Sequence, residues 1–150
     1  MGLSMNSLYE AHECYKKHIC GGLKKYGLKA RQPKIMYYIL KHEGCQQKDI
    51  AKNCYVETAT LSTVLKNLEK QDLIERRPLP GDKRAYSIFP KEEAREVFEA
   101  VRQQFEDTLN TALFGFSDEE REQFLGYLKR VENNLRNDKE MHETISREFA

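Results

Sequence analysis

Between residues 73 and 89, a chain that otherwise repeats its apolar residues every three or four positions changes to two short runs, "LIERRPL" and "RAYSIF", joined through Pro80-Gly81. Ile, Tyr and Phe suit the pleated surface of a strand and Pro-Gly suits a tight turn, so this stretch predicts a β-hairpin whose tip carries Asp82, Lys83 and Arg84. Directly before it, "QQKDIAKNC" reads as a short helix, "YVE" as a turn and "TATLSTVLKNLEKQ" as a longer helix that stops before Asp72. Two adjacent, short-linked helices have the outline of a helix-turn-helix unit. In the longer helix Leu61, Val64, Leu65 and Leu68 fall on one face, leaving Ala59, Thr63, Lys66 and Lys70 opposite, with Thr60, Ser62 and Asn67 on the flanks. That opposite face is small, polar and basic.

Helical spacing also governs the rest. Leu8, His12, Tyr15, Ile19, Leu23 and Tyr26 predict a first amphipathic helix that frays at "GGLKKYGLKA". Pro33 suits the first position of a second helix running through His42, with Ile35, Met36, Ile39 and Leu40 inward and Gly44 closing it. Beyond Pro90 lie two long patterns: Ala94, Val97, Phe98, Val101, Phe105, Leu109 and Leu113, then Phe124, Leu128, Val131 and Leu135. Ser117 and Glu120 fit a capping box between them, and Met141, Ile145 and Phe149 continue a four-residue spacing toward the terminus. The expected fold class is mainly α with a small β-hairpin, in one domain of 150 residues.

Net charge is only +1, but the average hides a division. Residues 1–91 hold 17 Lys/Arg against 9 Asp/Glu, whereas residues 92–150 hold 8 against 15. A basic half suits a polyanion, since neutralised phosphates release counterions; the plainer alternative is two oppositely charged halves meeting across a dimer. Cys14, Cys20, Cys45 and Cys54 lack metal-ligand spacing, and the histidines at 12, 18, 42 and 142 complete no triad or ligand set with them, so no metal, cofactor or catalytic site is expected. No apolar run approaches a membrane span and no signal-like segment opens the chain, which makes the cytoplasm the expected location.

A hairpin with a basic tip directly after a helix-turn-helix is what a winged helix requires. The longer helix would enter the major groove, where short Thr and Ser side chains let the backbone come close, while the hairpin reaches flanking backbone or minor groove. The residues assigned to DNA are Thr58, Thr60, Ser62, Thr63 and Lys66 on the helix, Arg76 on the first strand, and Asp82, Lys83 and Arg84 at the tip. Asp82, two residues from Arg84, is expected to accept from its guanidinium and hold it extended.

The stretch "KDIAKNCYVETATLSTVLKNLEKQDLIERRPLPGDKRAYSIF", with its "LIER" strand and Asp-x-Arg at the tip, resembles the MarR family of bacterial winged-helix transcriptional regulators. The resemblance implies a homodimer interlocked through terminal helices, about 4–27 and 91–150, around a winged-helix part at about 30–90. It further implies a double-stranded DNA operator and a small-molecule effector in a cleft between the parts. The sequence departs from the family pattern at Asp72, where Gly is usual, at Phe89-Pro90 in place of Leu-Thr, at Glu93 in place of Gly, and at Thr63 in place of Arg.

Tyr26, Tyr37 and Tyr38 would line such a cleft, or serve as ordinary core packing. The function read here is a sequence-specific DNA-binding regulator, a ligand-responsive repressor on a pseudo-palindromic operator. Two alternatives stay open: a thiol-based sensor of oxidative stress using Cys14 or Cys20, and a winged-helix interaction module without specific DNA binding.

Overall fold

The computed structural model describes residues 5–138, in the order α1 (Met5–Gly22), α2 (Gln32–Lys41), α3 (Gln47–Cys54), α4 (Thr58–Lys70), β1 (Ile74–Leu79), β2 (Asp82–Pro90), α5 (Arg95–Ala112) and α6 (Asp118–Arg136). Single 3-10 turns at Lys24–Tyr26 and Glu92–Ala94 follow α1 and precede α5. The stripe expected at Met141, Ile145 and Phe149 lies outside the described residues. The chain falls into two compact units that divide after Leu109.

In the first unit, hydrogen bonds define several of the helix ends. The second helix starts one residue earlier than Pro33 predicts. Gln32, 1% exposed, is its first residue: its Oε1 accepts from the Lys29 N–H at 2.8 Å and its Nε2 donates to Gln71 at 2.7 Å. For α3, the Asp49 carboxylate accepts from the Gln46 N–H at 3.0 Å. Tyr55 then takes the left-handed conformation, φ +54°, and the Val56 N–H reaches back to Ala51 at 3.1 Å. The close of α4 is equally defined: Asp72 is left-handed at φ +56°, its N–H bonds Glu69, and the Leu73 N–H bonds Leu68, both at 3.0 Å. Glycine favours that backbone, and Asp tolerates it. The Asp72 carboxylate accepts from Lys91 Nζ at 2.8 Å, which ties the Asp cap to the residue that follows β2.

β1 and β2 pair antiparallel from Ile74↔Pro90 to Pro78↔Tyr86, and then Leu79 meets Asp82. The register slips there, leaving residues 83–85 as a bulge on β2. Strand β2 therefore begins at Asp82, two residues before the expected "RAYSIF". Pro80-Gly81, with Gly81 at φ +85°, forms the turn alone. The base of the hairpin is held by a bridge in which Cys45 accepts from the Ile88 N–H and Ile88 from the Gly44 N–H, each at 2.9 Å.

One core runs through this unit. Ile19 and Leu23 near the end of α1, Ile35, Met36 and Ile39 of α2, Ile50 of α3, Leu61, Leu65 and Leu68 of α4, Ile74 and Ile88 of the hairpin, and Phe98 and Val101 of α5 are all buried together. Parts of α1 and α5 thus belong to the same core as the helix-turn-helix and the hairpin. Behind it, His18 Nδ1 bonds the buried Thr108 Oγ1 at 2.9 Å, and Gln104 Nε2 donates to Thr108 Oγ1 and to the His18 carbonyl at 3.2 and 3.3 Å.

The second unit is built on α6. Ser117 and Glu120 form the predicted capping box, with bonds of 2.8 and 3.2 Å. Arg121 donates to the Leu113 and Phe116 carbonyls, which fixes the turn before the helix. No residue of α6 is buried: Phe124, Leu125, Tyr127, Leu128, Val131 and Leu135 all remain exposed.

Candidate nucleic-acid interface

The sorting of α4 into two faces follows its sequence period. Leu61, Val64, Leu65 and Leu68 are buried, Thr58, Ala59, Thr63, Lys66 and Lys70 are exposed, and Thr60, Ser62 and Asn67 sit half-buried on the flanks. Burying four branched side chains anchors the helix and leaves the opposite face to solvent. Two contacts hold side chains of this face in place. Ser62 Oγ accepts from Gln47 of α3 at 2.7 Å, which ties the two helices of the helix-turn-helix, and the Thr63 hydroxyl donates to the Ala59 carbonyl at 3.3 Å. At the start of α4 Glu57 gives no side-chain cap, so the first-turn N–H groups stay available to an outside acceptor.

Asp82, Lys83 and Arg84 are exposed at the hairpin tip. The bond expected from the Arg84 guanidinium to Asp82 is absent among the described residues. Instead Asp82 Oδ1 accepts from the Arg84 backbone N–H at 2.9 Å. The physical reason is the bulge, which frees that N–H from the strand ladder and turns it toward the carboxylate. Asp82 thus shapes the tip and leaves the guanidinium to solvent. Lys66, Lys70, Lys83 and Arg84 make no ion pair among the described residues, whereas Arg77 pairs with Glu75 and lies 4.1 Å over the Phe89 ring.

Arg76 is placed differently from the other assigned residues. It is half-buried, and its Nε donates to Glu69 of α4, joining the hairpin to the helix. Beside that pair lies an open surface groove of about 480 Å³ lined by Lys66, Glu69, Arg76 and Tyr86. Sequence reading missed Glu69, Tyr86 and Gln47. Glu69 and Arg76 are seven residues apart across the left-handed turn at Asp72, so no periodicity links them, and Tyr86 reads simply as a strand residue.

The three tyrosines have different immediate neighbours. Tyr37 packs on Phe105 of α5 with ring centroids 4.6 Å apart. Tyr38 packs on His42 at 4.4 Å, and its hydroxyl accepts from Asn53 of α3 at 3.1 Å. Tyr26 lies against the core with Lys25 over its ring. Among the thiols Cys14 is exposed, and Cys20 lies 3.7 Å from the Ala30 carbonyl. Burial pushes the Cys45 thiol up to about 11 and raises that of Cys54. No group of three or more metal-ligating side chains occurs among the described residues, and no described helix is long and apolar enough to cross a membrane.

A model of the MarR family matches residues 28–86, the stretch from just before α2 to the wing. The uncharacterized HTH-type transcriptional regulator YybA of Bacillus subtilis strain 168 is 31% identical over 100 residues, 67% of each chain. A MepR–DNA complex from S. aureus superposes with a TM-score of 0.80 at 27% identity, over 89% of this chain and 100% of that one. A MarR-family regulator from Listeria monocytogenes in complex with a 26mer DNA superposes with a TM-score of 0.84 over 92% of each chain; at 22% identity this likeness is one of fold, a winged helix.

Proposed function

This chain belongs to the MarR family of transcriptional regulators, and we propose that it binds double-stranded DNA sequence-specifically, as a homodimer on a pseudo-palindromic operator. Membership carries regulation of transcription rather than catalysis. The observation that carries the reading is the outward face of α4, polar and basic over Thr63, Lys66 and Lys70, beside a wing whose Lys83 and Arg84 side chains make no ion pair among the described residues. A helix of that width fits the major groove. Its Thr and Ser hydroxyls donate or accept at base edges, and its lysines neutralise phosphates. The wing tip sends Arg84 toward the narrower groove, where the negative potential is stronger.

The homodimer is supported by α6. A helix with no buried residue and six large apolar or aromatic side chains in solvent is unstable as a free surface and suits burial against a second copy. Repression relieved by a small-molecule effector is the mode the family resemblance implies, with Tyr26, Tyr37 and Tyr38 as the residues a cleft would draw on. Fluorescence anisotropy separates this function from RNA binding or a pure interaction role. A duplex DNA of mixed sequence should bind with an affinity that falls steeply with salt, and far more tightly than duplex RNA of the same length. Equal binding of the two, or of neither, would refute it.

A further inference from the structure

The open groove between α4 and the wing has a chemistry that neither element has alone. It is lined by two cationic side chains, one carboxylate and one phenol: Lys66, Arg76, Glu69 and Tyr86. Glu69 is bonded to Arg76 Nε, which leaves the terminal guanidinium nitrogens free of that bond and fixes the plane of the group. The sum of charge is a single positive, the complement of one phosphodiester. Tyr86 adds a neutral donor from β2, 40% exposed, and Lys66 a mobile cation from α4.

Three donors from three elements therefore converge on one place, and that place lies between the helix assigned to the major groove and the hairpin assigned to the flanking groove. A DNA strand that touches both must carry its backbone across the gap. We propose that this groove seats one backbone phosphate per half-site, with Tyr86, Lys66 and the outer nitrogens of Arg76 as donors and Glu69 as the residue that orients Arg76. The inference rests on the DNA-binding function above and deepens it: Tyr86 becomes a DNA contact, and Arg76 a contact of phosphate alone, positioned by an ion pair. Because a phosphate carries no sequence information, the seat sets the register between helix and wing and leaves base preference unchanged.

The test uses a duplex selected from random DNA by the parent protein, and a series of copies in which one phosphate at a time is replaced by an uncharged methylphosphonate. Tyr86→Phe and Lys66→Ala lie at exposed positions that do not contribute to the core. Each should weaken binding of the selected duplex by about 3- to 10-fold, and by the same factor on operator variants. One methylphosphonate position per half-site should weaken the parent and remove the difference between parent and Tyr86→Phe, as expected when two changes delete one contact. Only Lys66→Ala should lower the salt slope, since Tyr86 carries no charge. If the parent binds the selected duplex and Tyr86→Phe binds it equally, or if its deficit persists at every methylphosphonate position, the seat is refuted and the DNA-binding function stands. If the parent selects no duplex, both are refuted.

Discussion

A methyl group added at Gly22 would occupy the space now filled by the carboxamide of Gln104. Gly22 is the last residue of α1, and Gln104 of α5 is the side chain that bonds both Thr108 and the His18 carbonyl. Gly22→Ala must therefore swing Gln104 away. Two hydrogen bonds are lost at roughly 1 kcal/mol each, while Thr108 keeps its bond to His18. Against this, alanine in place of glycine favours the helix by about 0.5–1 kcal/mol. The net expectation is a loss of about 1–1.5 kcal/mol, or a few degrees in thermal midpoint for a chain of this size. In a Gln104→Ala background the obstacle is gone, and the same substitution should stabilise by about 0.5–1 kcal/mol. Urea unfolding of the four proteins at one fixed concentration measures the cycle, with unchanged m-values as the check on two-state behaviour. If Gly22→Ala destabilises equally in both backgrounds, the close approach of α1 and α5 is not what makes glycine necessary there.

Arg84→Ala should weaken duplex binding by about 1–3 kcal/mol with an unchanged thermal midpoint, because the guanidinium makes no ion pair or hydrogen bond among the described residues; equal affinities at one salt concentration would remove Arg84 from the interface. Burial holds the Cys45 thiol neutral up to about pH 11 against an ordinary 9.0, so its contribution to stability is complete below pH 9 and lost as pH rises through 11; Cys45→Ala should flatten the stability profile in that window, and an unaltered profile would show that other groups dominate it. Leu128→Asp on the exposed face of α6 should convert dimer to monomer in light scattering at micromolar concentration. A dimer of undiminished strength would move the interface off that face.

Much of the fold is legible because burial imposes a period. Leu61, Val64, Leu65 and Leu68 announce α4 and which way it faces, and Ser117 with Glu120 announces the start of α6. Elements whose cause is non-local are not legible. The start of α2 at Gln32 depends on Gln71, 39 positions away, and the bridge of Cys45 to Ile88 joins a loop to a strand across a similar distance. At the interface, residue type and helix face suffice to place Thr63 and Lys66 outside. They do not reveal that Asp82 would bond a backbone N–H or that Arg76 would be held by Glu69, since each depends on where a bulge or a left-handed turn redirects the chain.

We propose that α4 and the wing read duplex DNA as a two-fold pair. Selection of bound sequences from a pool of random duplexes, followed by sequencing, tests it most directly. A two-fold pair should enrich an imperfect palindrome whose half-site centres lie roughly 10 bp apart, the spacing that presents the same groove face to two symmetric recognition helices. Enrichment of a lone, asymmetric site would contradict the two-fold arrangement. A pool that stays random after repeated rounds would contradict sequence-specific DNA binding itself.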